Sequence, residues 1–149
     1  MKRVAVTGLG VISPLGNDPS TFFSSLAAGQ SGIGRLPLPA GGHVIPKPMA
    51  HIGAAVSFDP ADFFPVAQLR MLDRVSQFAL AASAQAMRNA NLVMDQIDRQ
   101  RAGVFIGTGM GGAQTTDDGY FSLYGEHSDR VKPYSVLMAM TNAAASWIG

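Results

Sequence analysis

The chain opens on an apolar, β-branched run, RVAVT at residues 3–7, which predicts a buried first strand. Gly8, Leu9 and Gly10 then turn the chain. Asn17, Asp18 and Pro19 predict a helix start: an amide or carboxylate cap, then a proline whose missing N–H costs nothing in a first turn. Phe22, Phe23 and Leu26 give that helix an apolar side, and Gly29 stops it. Residues 52–56 predict a second strand, and Asp59-Pro60 repeats the Asp-Pro helix signal for a short turn. The longest element is predicted at 73–91, where Val75, Phe78, Ala79, Ala82, Ala86 and Ala90 recur at spacings of three and four. That face is mostly alanine, so a neighbouring element can approach it closely. One more helical turn is predicted at 95–100 and a third strand at 102–106. Residues 113–130 are polar with interspersed aromatics, and an apolar segment at 136–148 is predicted to be helical around 142–147.

The third strand runs into VFIGTGMGG at 104–112, whose last six residues fit G-x-G-x-x-G. A dinucleotide turn of that form needs a preceding strand, a following helix whose N-terminus faces the pyrophosphate, and an acid about 20 residues on at the end of a second strand. The strand is present. Asp117 and Asp118, however, put two acids where phosphate would be repelled, and Glu126 and Asp129 follow no apolar strand. The plainer reading is steric: glycines at 107, 109, 111 and 112 permit positive φ and close backbone packing.

Composition narrows the function classes. Of 149 residues, 47% are hydrophobic and 14% charged, the balance of a buried α/β-type domain and not of a disordered tail. A net charge of +1 with scattered acids and bases gives no footprint for nucleic acid. There is no cysteine, which removes disulfides, Cys-based zinc sites and any thiol nucleophile encoded in this chain. The first apolar run is short and broken by Thr7, Gly8 and Gly10, so it reads as a strand and not as a signal peptide. No run approaches a membrane span; the expected location is cytoplasmic.

Candidate chemistry is sparse. His43, His51 and His127 are isolated, with no metal-ligand spacing, and neither a metal nor a cofactor is expected. Asp117-Asp118 reads as a solvated N-terminal helical turn and not as an acid/base pair. Ser13 lacks the G-x-S-x-G elbow of a hydrolase nucleophile.

Five blocks nevertheless resemble, in order, one family. They are RVAVTGLGVISPLGN at 3–17, LAAGQSGI at 26–33, LDRVSQFALAASAQAM at 72–87, GVFIGTGMGGAQTTDDGYFSLY at 103–124 and KPYSVLMAMTNAAASWIG at 132–149. They are similar to the N-terminal part of β-ketoacyl-ACP synthases of the KAS I/II type, over nearly the whole chain apart from the loop near 35–50. The resemblance implies an α/β, thiolase-like fold of α-β-α-β-α layers and a homodimer. It also implies a decarboxylative Claisen condensation of an acyl thioester with malonyl-ACP, so acyl-ACP and malonyl-ACP are the implied partners. In that family a cysteine at a helix N-terminus, where its pKa falls, carries the acyl group. Histidines assist decarboxylation, and backbone N–H groups stabilise the developing charge. The family's cysteine lies shortly after the segment ending at 149 and its histidines later still, so no catalytic residue is assigned here. Residues 1–149 are expected to be a β-ketoacyl synthase N-terminal domain, truncated before that cysteine.

By the same resemblance GTGMGG is the strand-to-helix turn beside the acyl pocket. Met110 matches a position near the end of the acyl chain, and Tyr134 and Ser135 fall in the segment reaching toward the partner subunit's acyl tunnel. Many KAS II members carry bulkier aromatic side chains where Ser135 stands. Two other readings compete with a piece of a ketosynthase: a non-catalytic partner like the chain-length factors, and an orphan domain kept for association alone.

Overall fold

The computed structural model describes residues 3–36 and 50–149. His43 and most of the glycine- and proline-rich loop lie outside them. Helix α1 spans Pro19–Ala27, and Asp18 caps it by accepting from the Thr21 N–H at 2.9 Å. A short antiparallel pair follows, β1 (Gly34–Arg35) with β2 (Ile52–Gly53), in register Gly34 to Gly53 and Arg35 to Ile52. It is the one sheet among the described residues. Asp59 caps the 3-10 turn Pro60–Asp62, as the second Asp-Pro predicts. Helix α2 (Val66–Leu69) then leads into α3 (Arg74–Asn89), which carries Asp73 as its cap. Helices α4 (Ala113–Tyr120), α5 (Ser135–Ala139) and α6 (Ala143–Ile148) complete the chain.

The centre is α3, which packs against α6. Its alanine face behaves as the spacing predicts. Residues 8–10 lie directly on it, so close that a Cβ at Gly8 or Gly10 would collide with the Ala86 or Ala82 carbonyl. Glycine is required at both positions for that approach. Two side-chain amides on α3 hold the segment: Asn89 Oδ1 accepts from Leu9 N–H at 3.0 Å and Gln85 Oε1 from Val11 N–H at 3.1 Å. Residues four apart on a helix rise ~6 Å and residues two apart on an extended chain ~6.6 Å, so the two repeats match. The deepest side chains of α3 belong to another face, Ser76, Gln77 and Ala81, and Ala143 and Ala144 of α6 are buried with Leu72.

Several expectations are corrected. Residues 3–7 and 102–106 form no strand; Val4 is 94% exposed, Val6 80% and Phe105 95%. Backbone in a strand must pair, and no partner for these two segments is found among the described residues. The second strand is two residues long instead of spanning 52–56. The turn predicted at 95–100 is the 3-10 turn Met94–Gln96. The helix predicted around 142–147 is α6, while the start of that apolar segment forms a separate helix, α5, ended by the extended backbone of Met140 (φ −62°, ψ 139°).

Candidate functional site

The glycine-rich turn joins the unpaired segment 102–108 to α4. Gly111, at φ 58°, takes the left-handed conformation that suits glycine. Its N–H donates to Thr108 Oγ1 at 3.2 Å, and the Gly112 N–H donates to the Ala139 carbonyl at 3.3 Å. Both glycines are buried against the end of α5, where a Cβ at Gly112 would come within 2.7 Å of Ala139 Cα. Gly107 and Gly109, in contrast, face open space. Half of the motif is therefore steric necessity of packing.

The first turn of α4 is also closed to a phosphate. The Thr115 N–H that would serve such a ligand donates to Asp73 Oδ2 at 2.9 Å, so a carboxylate already stands there. The acid that opposes phosphate is thus Asp73, not the Asp117-Asp118 pair. Those two lie in the later half of α4 and not in its N-terminal turn, where Asp118 pairs with Lys132 at 3.6 Å. Both partners of that pair are well exposed, so it adds little stability.

Beyond α4 the chain passes through a π-helical turn, Phe121–Gly125, a geometry frequent at functional sites. Two non-glycine residues then take left-handed backbone, His127 at φ 54° and Tyr134 at φ 68°. Between them residues 128–133 run back across α4 and complete a cavity of about 420 Å³. Thr115, Gly119, Leu123, Val131, Ser135 and Val136 line it, apolar within, with Lys132 and Arg130 among its charged members. Its size is in the range of small-ligand sites.

Of the residues singled out from the sequence, Ser135 lies in this wall, its hydroxyl donating to the Lys132 carbonyl at 2.8 Å. Tyr134 adjoins it and is exposed. Met110 is 79% exposed in the glycine turn and does not line the cavity. His127 sits at the start of the 128–133 crossing, and His51 is exposed beside β2. Ser13 closes a tight turn, its hydroxyl donating to the Gly16 carbonyl at 2.9 Å. Asp73 was missed as a site residue; the sequence placed it only at the start of the helix predicted over 73–91. Among the described residues no group of three acids or histidines converges on a metal position, and no helix is long and apolar enough to cross a membrane.

Known proteins place this geometry. The 3-oxoacyl-[acyl-carrier-protein] synthase 2 of Synechocystis sp. is 34% identical over 145 residues, covering 97% of this chain and 34% of the relative. The protein of the same name from Staphylococcus aureus is 30% identical over 149 residues, covering 99% and 35%. The chain thus spans about a third of the length of the curated relatives it matches. Among solved structures, a β-ketoacyl synthase from Burkholderia phymatum superposes with a TM-score of 0.78 at 24% identity, over 99% of this chain and 36% of that one. A type II PKS ketosynthase, in complex with its acyl-carrier protein and bound to the hexaketide, gives 0.72 at 24%, over 99% and 38%. These neighbours carry the thiolase-like fold, and the helices and turns described here are its N-terminal part. The family described as "Beta-ketoacyl synthase, N-terminal domain" matches residues 1–149 throughout, and the chain belongs to that family.

Proposed function

We propose that this chain is the N-terminal portion of a 3-oxoacyl-ACP synthase, a condensing enzyme of fatty-acid or polyketide synthesis acting in the cytoplasm as a homodimer. The observation that supports it is the match of the family over every residue of the chain, with the glycine-rich turn packed as a steric element. In the reaction an acyl group passes from its carrier protein to a cysteine thiolate. Malonyl-ACP then loses CO₂, and the resulting enolate carbon attacks the acyl thioester and releases the thiolate. The chain contains no cysteine, so the nucleophile is supplied from outside residues 1–149. What this portion contributes is shape. Met110, Tyr134 and Ser135 border the path of the acyl chain, Ser135 from the wall of the 420 Å³ cavity.

A second reading has its own support. One structural neighbour is described as the ishigamide ketosynthase/chain length factor, with a TM-score of 0.78 at 21% identity. A non-catalytic partner of that kind would also carry this N-terminal portion. The codons after Gly149 separate the two. A cysteine at the nucleophile position, and formation of 3-oxoacyl-ACP with release of CO₂ by the extended protein, are expected. Glutamine or another residue at that position, with no product, would favour the partner reading and overturn the first. The 149-residue chain alone should gain no mass from an acyl-ACP or a thiol-directed electrophile.

A further inference from the structure

We infer that Asp73 is a positioning residue for the cavity wall, because one buried carboxylate caps two helices. Asp73 is 4% exposed. Its Oδ1 accepts from the Val75 N–H at 3.0 Å, which closes the first turn of α3. Its Oδ2 accepts from the Thr115 N–H at 2.9 Å and from the Thr115 hydroxyl at 2.6 Å. Thr115 is the third residue of α4, where an N-cap side chain ordinarily bonds. The residue in the cap position of α4 is Gly112, which has no side chain to offer and makes no cap hydrogen bond. It cannot be exchanged for a capping residue, because a Cβ there would collide with the Met138 carbonyl and with Ala139 Cα. Asp73, 42 residues before Thr115, supplies the missing cap from another element.

The geometry suits a carboxylate in particular. Two helix N-termini with their partial positive charge meet at one anion, and charge-assisted bonds of this kind are about twice as strong as neutral ones. Thr115 and Thr116 face the cavity, so the bond that fixes the start of α4 also fixes that wall relative to α3. Just before them lies the glycine turn carrying Met110. Asp73 touches no ligand; it acts through Thr115. That the cavity takes an acyl chain rests on the proposed function, whereas the shared cap does not.

The test uses peptide-resolved hydrogen exchange by mass spectrometry on the 149-residue chain, a readout that tolerates self-association. Asp73→Asn retains a good cap for α3 through its amide oxygen but turns an NH₂ toward the Thr115 N–H. Exchange in peptides covering 107–120 should quicken about tenfold or more, the equivalent of losing a charge-assisted bond, while α1 and the rest of α3 are unchanged. Thr115→Val, which removes only the hydroxyl, should give a smaller acceleration in the same peptides, and Thr115→Ser should restore wild-type exchange. Asp18→Ala, a cap lost elsewhere, should leave 107–120 untouched. Unchanged exchange in 107–120 with both Asp73→Asn and Thr115→Val, or equal acceleration throughout the chain with both, overturns the inference. Decanoate binding is measured alongside, and a roughly tenfold loss in Asp73→Asn but not in Asp18→Ala is expected. Absence of decanoate binding to the wild-type chain would count against the acyl reading of the cavity, and exchange would still decide the role of Asp73.

Discussion

The segment 102–106, AGVFI, is more apolar than helix α3, in which nine of 16 residues are hydrophobic, yet α3 is the centre of the structure and the segment lies open. On α3, Ser76 and Ala81 are almost wholly buried, and the backbone of 8–10 is pressed against the alanines. In the other segment Phe105 is 95% exposed. The difference is where each kind of element finds its hydrogen bonds. A helix satisfies its interior N–H and C=O groups within itself and needs only a face to bury and caps for its ends. A strand satisfies none of its own and depends on another stretch of chain. So α3 can form within these residues, whereas 3–7 and 102–106 present a face and an edge that no described residue pairs with.

The largest expected effect follows from that open face. Val4, Val6 and Phe105 are each more than half exposed, and helix α5 adds Val136 and Leu137 to the apolar surface in water. Burial is worth about 25 cal/mol per Å², so a few hundred Å² left in water forgo several kcal/mol, comparable with the ~5–15 kcal/mol stability of a domain. The chain by itself should associate with rising concentration in sedimentation, bind a hydrophobic dye and melt without a sharp transition. Val6→Lys with Phe105→Lys should weaken association about tenfold or more and leave helical circular dichroism intact. A monodisperse monomer with a sharp two-state melt would break the comparison outright, since the open segments would then need no partner.

The next effect lies where the two kinds of element meet. Gly10→Val puts a side chain against the Ala82 carbonyl, backbone that cannot rotate away. The cost should fall at the upper end of the ~1–3 kcal/mol typical of overpacking. It would be read as faster exchange at Leu9 and Val11 together with lost protection in the facing turns of α3. Gly107→Ala, where nothing lies within 4 Å, should cost far less. Equal effects would mean that the close approach of 8–10 to α3 does not form.

What could be read from sequence divides along the same line. Asp18 and Asp59 announce their helices correctly, because capping is a local matter of one side chain and an amide two or three residues on. The alanine spacing of α3 correctly announces a close neighbour, and the glycines that exploit it stand at 8 and 10. The strands expected at 3–7 and 102–106 do not form, because an apolar run shows only one segment, and pairing is a property of two. The cavity was harder still. Ser135 was singled out through the family resemblance alone, and Asp73 was invisible as a site residue because its second role reaches 42 residues along the chain to Thr115. Nothing in a window around either residue records that contact.

A smaller effect sharpens the role of α3 as a stand-in partner for the first segment. Gln85 accepts from the Val11 N–H at 3.1 Å and donates through Nε2 to the Asn17 carbonyl at 2.6 Å. Gln85→Ala removes both bonds from partly buried backbone, about 1 kcal/mol each. Exchange at Val11 should quicken with little change in α6. Gln85→Glu should restore the acceptor for Val11 but not the donor for Asn17, recovering roughly half of the loss. If Gln85→Ala leaves Val11 exchange unaltered, α3 is not what holds that segment.

The smallest effect concerns α1, which buries no residue fully and so tests how far a helix can be held by its ends. The Asp18 carboxyl is held below the ordinary carboxylate value, chiefly because the Thr21 hydroxyl and then the Thr21 backbone N–H donate to its charged form. A carboxyl whose folded value is lowered stabilises the folded state most when ionised. Its contribution is therefore fully present above the unfolded value of about 3.9 and is lost as pH falls through the lower folded value. Between neutral pH and pH ~2, amides of residues 19–27 should lose protection before those of α3 do. Asp18→Asn keeps a capping side chain of similar quality but cannot titrate, so α1 should then lose this acid-dependent step while remaining formed at neutral pH. Added salt should diminish the step in the wild-type chain, since the carboxylate is open to solvent. If protection of α1 is flat with pH in the wild-type chain, the Asp18 cap contributes nothing through its charge, and α1 is held by its contacts with the rest of the chain instead.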